Sequence, residues 1–116
     1  MEKLVNFQDM DDVLIVEVLI EKLDLFETPN VLNKVEKAIS ERPLKTLVVD
    51  LHQVDTIDSS GIGFLIAVRN KLLKSDIALA IINVSETVMQ IFRLTKVIQL
   101  IQVYSDLNDV PGVKKQ

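Results

Sequence analysis

Short β-branched runs that alternate with segments of helical period are the feature that most narrows what this chain can fold into. Val13-Leu14-Ile15-Val16-Glu17-Val18-Leu19-Ile20 is too short for an independent helix and reads as a central strand. Thr46 to Leu51 and Ile77 to Ile82 read as further buried strands, and Ile98 to Tyr104 as a last one. Between them lie helical periods. Thr28-Pro29 is a start signal, with Thr28 expected as N-cap and Pro29 at the first helical position. Val31, Leu32, Val35, Ala38 and Ile39 follow on one face, and Pro43 closes the segment. Ser59 or Ser60 opens a second helix, with Ile62, Leu65, Ile66, Leu72 and Leu73 on its buried face. A third begins at Ser85-Glu86-Thr87-Val88 and carries Val88, Ile91 and Phe92. Ahead of these, Leu4 to Phe7 is expected to be a first strand, with Asp9 to Asp12 as a polar turn.

The expected order is β-β-α-β-α-β-α-β-α, with about four helices, the last a short polar helix or a fraying tail ending in Lys114-Lys115-Gln116. Strands that alternate with helices imply right-handed crossovers, hence an α/β fold with a mixed, mostly parallel β-sheet and an initial β-hairpin. The 116 residues form one domain, 1–116, with a core of about 4–108 and a tail, 109–116, expected to be mobile.

Composition removes several chemistries. No cysteine is present, so disulfides, thiolate metal sites and cysteine nucleophiles are excluded. One histidine, His52, excludes a multi-histidine metal site, and a metal on Asp55 and Asp58 would need further carboxylates that the sequence does not assign. The formal net charge of −4 disfavours direct binding of nucleic acid. Residues 1–27 alone hold eight acids and two bases, a face that could steer a basic partner. No secretory signal or membrane-spanning run is visible, so the expected location is cytoplasmic. Phosphate-binding loops, dinucleotide fingerprints and the Gly-x-Ser-x-Gly elbow are missing, and His52 has no reason to point at Ser59. Neither an enzyme nor a resident cofactor is expected.

The segment richest in functional signal is Asp50-Leu51-His52-Gln53-Val54-Asp55-Thr56-Ile57-Asp58-Ser59-Ser60-Gly61-Ile62-Gly63. A buried strand ends there, a polar loop follows, and a helix opens on Ser-Ser-Gly. Loops after the C-termini of parallel strands are where ligands and partners dock. A helix start also offers unpaired N–H groups to a phosphoryl group. Ser59 can equally be a plain N-cap. Two of the chain's three glycines, Gly61 and Gly63, fall here, where small residues admit a close neighbour.

The strand–loop–helix Leu47-Val48-Val49-Asp50-Leu51…Val54…Ile57-Asp58-Ser59-Ser60-Gly61-Ile62-Gly63 resembles the central motif of STAS domains, most of all the stand-alone bacterial anti-sigma factor antagonists. The order of elements from about Leu4 to Asn108 is similar too. The resemblance implies that Ser59 is a phospho-acceptor. It implies that the unphosphorylated protein binds an anti-sigma factor serine kinase and so frees a sigma factor. Phosphorylation would expel it, and a PP2C-type phosphatase would reverse the modification. Asp58, Ser59, Ser60, Gly61 and Ile62 would then contribute to partner binding. So would Asp24, in a Leu23-Asp24 pair that resembles the family's Leu-Asp after the second strand. Glu21, Lys96 and the Lys74-Ser75-Asp76 loop stand where the family often has glycine. Other readings are a STAS module in a stressosome-like scaffold or as a transporter accessory subunit, a nucleotide-binding module, and a small enzyme.

Overall fold

The computed structural model describes residues 3–113. β1 (Val5–Met10) and β2 (Val13–Val18) form an antiparallel hairpin across an Asp11-Asp12 turn, where Asp11 takes φ 59. A two-residue strand, β3 (Lys22–Leu23), precedes helix α1 (Thr28–Ser40). Next come β4 (Thr46–Asp50), the two-residue β5 (Thr56–Ile57) and α2 (Ser59–Lys74). The chain continues through β6 (Ala78–Ile82), α3 (Glu86–Leu94) and β7 (Val103–Tyr104). The main sheet has five strands in the order β1-β2-β4-β6-β7, and every pair after the hairpin is parallel. β3 and β5 form a separate two-stranded parallel sheet.

From β2 onward the sheet grows in one direction, which carries every crossover helix to the same side. The period of two along the strands sorts the side chains accordingly. Leu14, Val16 and Val18 of β2, with Leu47 and Val49 of β4, pack against Val31 and Val35 of α1, Phe64, Leu65 and Val68 of α2, and Val88 and Phe92 of α3. The opposite face carries Val13, Ile15, Val48, Ala80 and Ile82 and is covered by Val110 of the C-terminal segment. No reversal of strand order opens a crevice in the parallel part, the feature that nucleotide-binding α/β sheets exploit.

Several expectations need correction. The first strand reaches Met10, and the second stops at Val18. Residues 98–104 are not one strand. A 3₁₀ turn spans Val97–Gln99, where Gln99 and Leu100 donate N–H bonds to the carbonyls of Lys96 and Val97, so sheet pairing is left to Val103 and Tyr104. Three α-helices form among the described residues, and the expected fourth is a 3₁₀ turn, Leu107–Asp109, capped by Asp106. Val110, within the expected tail, is 3% exposed, while Lys114 to Gln116 lie outside the described residues. Leu73 is exposed and does not join the buried face of α2. Lys96 and Asp76, at two of the glycine-like positions, do adopt positive φ, at 64 and 56. Glu21 does not. Its carbonyl accepts the N–H groups of Asp55 and Thr56, which fastens the β3–β5 ladder.

Candidate functional site

The β3–β5 ladder positions the site. Leu23 pairs with Ile57 in parallel register, so the next residue on each strand, Asp24 and Asp58, leaves the ladder beside the other. Asp58 then starts a helix, and Asp24 a turn that leads into one. Asp58 is the N-cap of α2, with extended backbone at φ −105 and ψ −170. Its Oδ1 accepts from the N–H groups of Ser60 at 2.8 Å and Gly61 at 3.2 Å, and its Oδ2 from Leu25 N–H at 3.2 Å. One carboxylate therefore ties the start of α2 to the loop that leads into α1. Asp24 closes the turn ahead of α1, with Oδ1 accepting from Phe26 N–H at 3.0 Å and Glu27 N–H at 3.2 Å, while the cap of α1, Glu27, makes no side-chain capping bond. Thr28 is inside the helix and not its cap, and its hydroxyl donates back to the Asp24 carbonyl. Pro29 accordingly sits one position further in than expected.

Ser59 is the first residue of α2 and is exposed. Its hydroxyl has no hydrogen-bond partner among the described residues, because the capping that serine could perform belongs to Asp58. Ser60 is half-buried beside it. Gly61 and Ile62, expected on a partner surface, are buried. A Cβ at Gly61 would lie 2.3 Å from Ile57 Cγ1 and 2.5 Å from the Leu23 carbonyl oxygen, so this glycine lets α2 seat on the small ladder. Ile62 joins the main core. Gly63 is exposed, and a Cβ there would meet nothing within 4 Å.

The structure adds two residues that the sequence does not single out. Leu25 and Phe26 are 64% and 80% exposed, on the loop whose backbone Asp24 and Asp58 hold. The available signal was an apolar pair inside an otherwise polar turn, between a strand and Pro29. An open groove alongside has three carboxylates, Glu21, Asp24 and Glu27, and two lysines, Lys3 and Lys22, in its lining. The face therefore combines a free serine hydroxyl, exposed apolar side chains and an excess of carboxylates.

His52 is engaged elsewhere. Its Nδ1 lies 3.1 Å from Asp50 and its Nε2 3.2 Å from Glu17. Asp55 is exposed. No described helix is long and apolar enough to cross a membrane.

A family model described as the STAS domain matches residues 5–110. Among solved structures, an anti-sigma factor antagonist from Mycobacterium paratuberculosis is 24% identical, with TM-score 0.79, covering 90% of this chain and 87% of that one. The anti-sigma factor antagonist SpoIIAA in its unphosphorylated form is 16% identical, with TM-score 0.68 and coverage of 90% and 91%. The murine Solute Carrier 26 family member A9 anion transporter is 20% identical, with TM-score 0.78, covering 88% of this chain and 17% of the transporter. At these identities the structural likeness is one of fold.

Proposed function

This chain belongs to the STAS domain family, and from that premise we propose that it is an anti-sigma factor antagonist switched by phosphorylation of Ser59. The unphosphorylated domain binds an anti-sigma factor serine kinase and so frees a sigma factor. A PP2C-type phosphatase restores the binding form. The domain is substrate and surface, not enzyme.

The observation that carries this reading is the free, exposed hydroxyl of Ser59 directly after Asp58, on a face with exposed Leu25 and Phe26. A kinase can reach that oxygen without unfolding the helix. The phosphate would not be absorbed by the helix start, since Asp58 already accepts the N–H groups of Ser60 and Gly61. It would stand beside a carboxylate as about −1.5 to −2 further charges. In a closed interface that costs desolvation and like-charge repulsion. About 3 kcal/mol corresponds to roughly a hundredfold loss of affinity, enough for a switch without a change of fold.

The test is incubation with the host's anti-sigma kinases and ATP, followed by peptide mass spectrometry and binding measurements. One phosphate on Ser59 and loss of kinase binding are expected. Ser59→Ala should stay unmodified and bind, and Ser59→Asp should bind more weakly. Equal affinity of the kinase for free and fully phosphorylated protein would refute the mechanism. A second reading is favoured by the likeness to a transporter's STAS region, namely a binding module in a membrane-transport assembly. Its signature would be constitutive association with a transporter subunit and no modification of Ser59.

A further inference from the structure

On the sheet face away from the helices, the C-terminal ends of β2 and β4 bring together Glu17, Asp50 and His52. Glu17 and Asp50 are in direct register across the two parallel strands, and His52 follows Asp50 by two residues. Among the described residues this is a group of three whose candidate ligand atoms all lie within 4.8 Å of one another.

Asp50 Oδ1 is held by three donors. It accepts from His52 N–H at 3.0 Å and Asn83 Nδ2 at 3.2 Å, and His52 Nδ1 lies 3.1 Å away. Asn83 reaches it from the end of β6 with φ 58, a conformation asparagine tolerates. With the Nδ1 proton donated to Asp50, the Nε2 lone pair faces Glu17 Oε2 at 3.2 Å. In that tautomer two acceptors face each other across a gap that a cation can fill. Bonds of roughly 2.0–2.1 Å to nitrogen and oxygen, at an angle of about 100°, span that separation. Among the described residues neither carboxylate pairs with lysine or arginine. A proton on the ring would leave the group with an excess negative charge, whereas a dication neutralises both carboxylates.

We infer that Glu17, Asp50 and His52 form a binding site for a divalent transition-metal ion of the zinc class. His52 Nε2 and the Glu17 carboxylate are the ligands, water completes the shell, and Asp50 orients the ring from behind. A carboxylate accepting the second imidazole N–H is a recurring support for metal-bound histidine. Imidazole with carboxylate selects zinc and its neighbours over calcium or magnesium. The site is distinct from Ser59 and needs no partner protein.

His52 is the chain's one histidine, so its ring nitrogens give an unambiguous NMR signal. Titration of the folded chain with zinc chloride, read by ring ¹⁵N shifts and calorimetry, tests the site. Saturable binding of one ion is expected, with Nε2 metal-bound and Nδ1 still protonated. Glu17→Gln should weaken binding at least tenfold, and Asp50→Asn by about ten- to a hundredfold. His52→Ala should abolish it while the amide spectrum stays that of the folded domain. Three results would overturn the site: no saturable change; binding that leaves His52 unmoved; or unchanged affinity in Glu17→Gln. An imidazolium donating to both carboxylates and indifferent to zinc belongs to the first of these.

Discussion

Asp58 has more to do than sit beside the proposed phospho-acceptor. Its two oxygens hold three backbone N–H groups, from Ser60, Gly61 and Leu25, and so join the start of α2 to the loop before α1. Replacing an N-cap aspartate by alanine costs about 1–2 kcal/mol, and that loss is expected for Asp58→Ala in urea unfolding. Gly61 and Gly63 should respond in opposite ways. The Ile57 side chain could shift from a new Cβ at Gly61, but the Leu23 carbonyl at 2.5 Å cannot, so Gly61→Ala should destabilise by about 1–3 kcal/mol. Nothing lies within 4 Å at Gly63, where alanine's better helix propensity should add about 0.5–1 kcal/mol. Thermal or chemical unfolding of the pair separates the two cases. The sequence pointed to Ser59 as the cap, because a serine oxygen can accept a helix N–H, and it did not single out Asp58 for that role. The extended backbone and the side-chain bonds of Asp58 place the cap there, which leaves the Ser59 hydroxyl without a partner among the described residues.

The loop from Asp24 to Glu27 is the element on which the proposed interface turns. Phe26 is 80% exposed and buries nothing of weight in the free domain. Phe26→Ser should therefore change stability by less than about 0.5 kcal/mol. Exposed aromatics that become fully desolvated in a complex are typical binding anchors. The same variant should weaken binding to the anti-sigma kinase tenfold or more by calorimetry, and unchanged binding would remove the loop from the interface. This element was poorly legible in the sequence, and the reason is physical. Long β-branched runs such as Val13 to Val18 and Thr46 to Asp50 announce themselves, because burial on both faces leaves no polar period. The helices were legible from their apolar stripes. A two-residue ladder such as Lys22–Leu23 against Thr56–Ile57 has no period to detect. Residues 98–104 misled for the opposite reason: Ile98, Ile101 and Val103 look strand-like, yet Ile101 is buried in the main core just before the short β7. Asp24, Asp58 and Ser59 could be picked out by motif, whereas the exposure of Leu25 and Phe26 depends on how the ladder aims the loop.

At the scale of the molecule, the sheet is covered unequally. Three helices blanket one face, and the other relies on the C-terminal segment, where Val110 closes over Val13, Ile15, Val48, Ala80 and Ile82. All crossovers progress in one direction, so no helix returns to that side. A central sheet with a bare apolar face invites association, and a short segment that covers it therefore carries weight out of proportion to its length. Tyr104 and Leu107 pack around the same small cluster, so the turn Leu107–Asp109 acts as the hinge that lays Val110 down. Val110→Asp would place a carboxylate among the apolar side chains of that cluster. The expected cost exceeds about 3 kcal/mol, seen as a lower urea midpoint and as dye binding to the uncovered face. The Ser59 surface is built on the helix side, from α2 and the small ladder, and should survive. Below its unfolding midpoint the variant should still be phosphorylated at Ser59 at the wild-type rate. A matching loss of phosphorylation would mean that the two faces are coupled through the sheet, and that the C-terminal segment belongs to the switch.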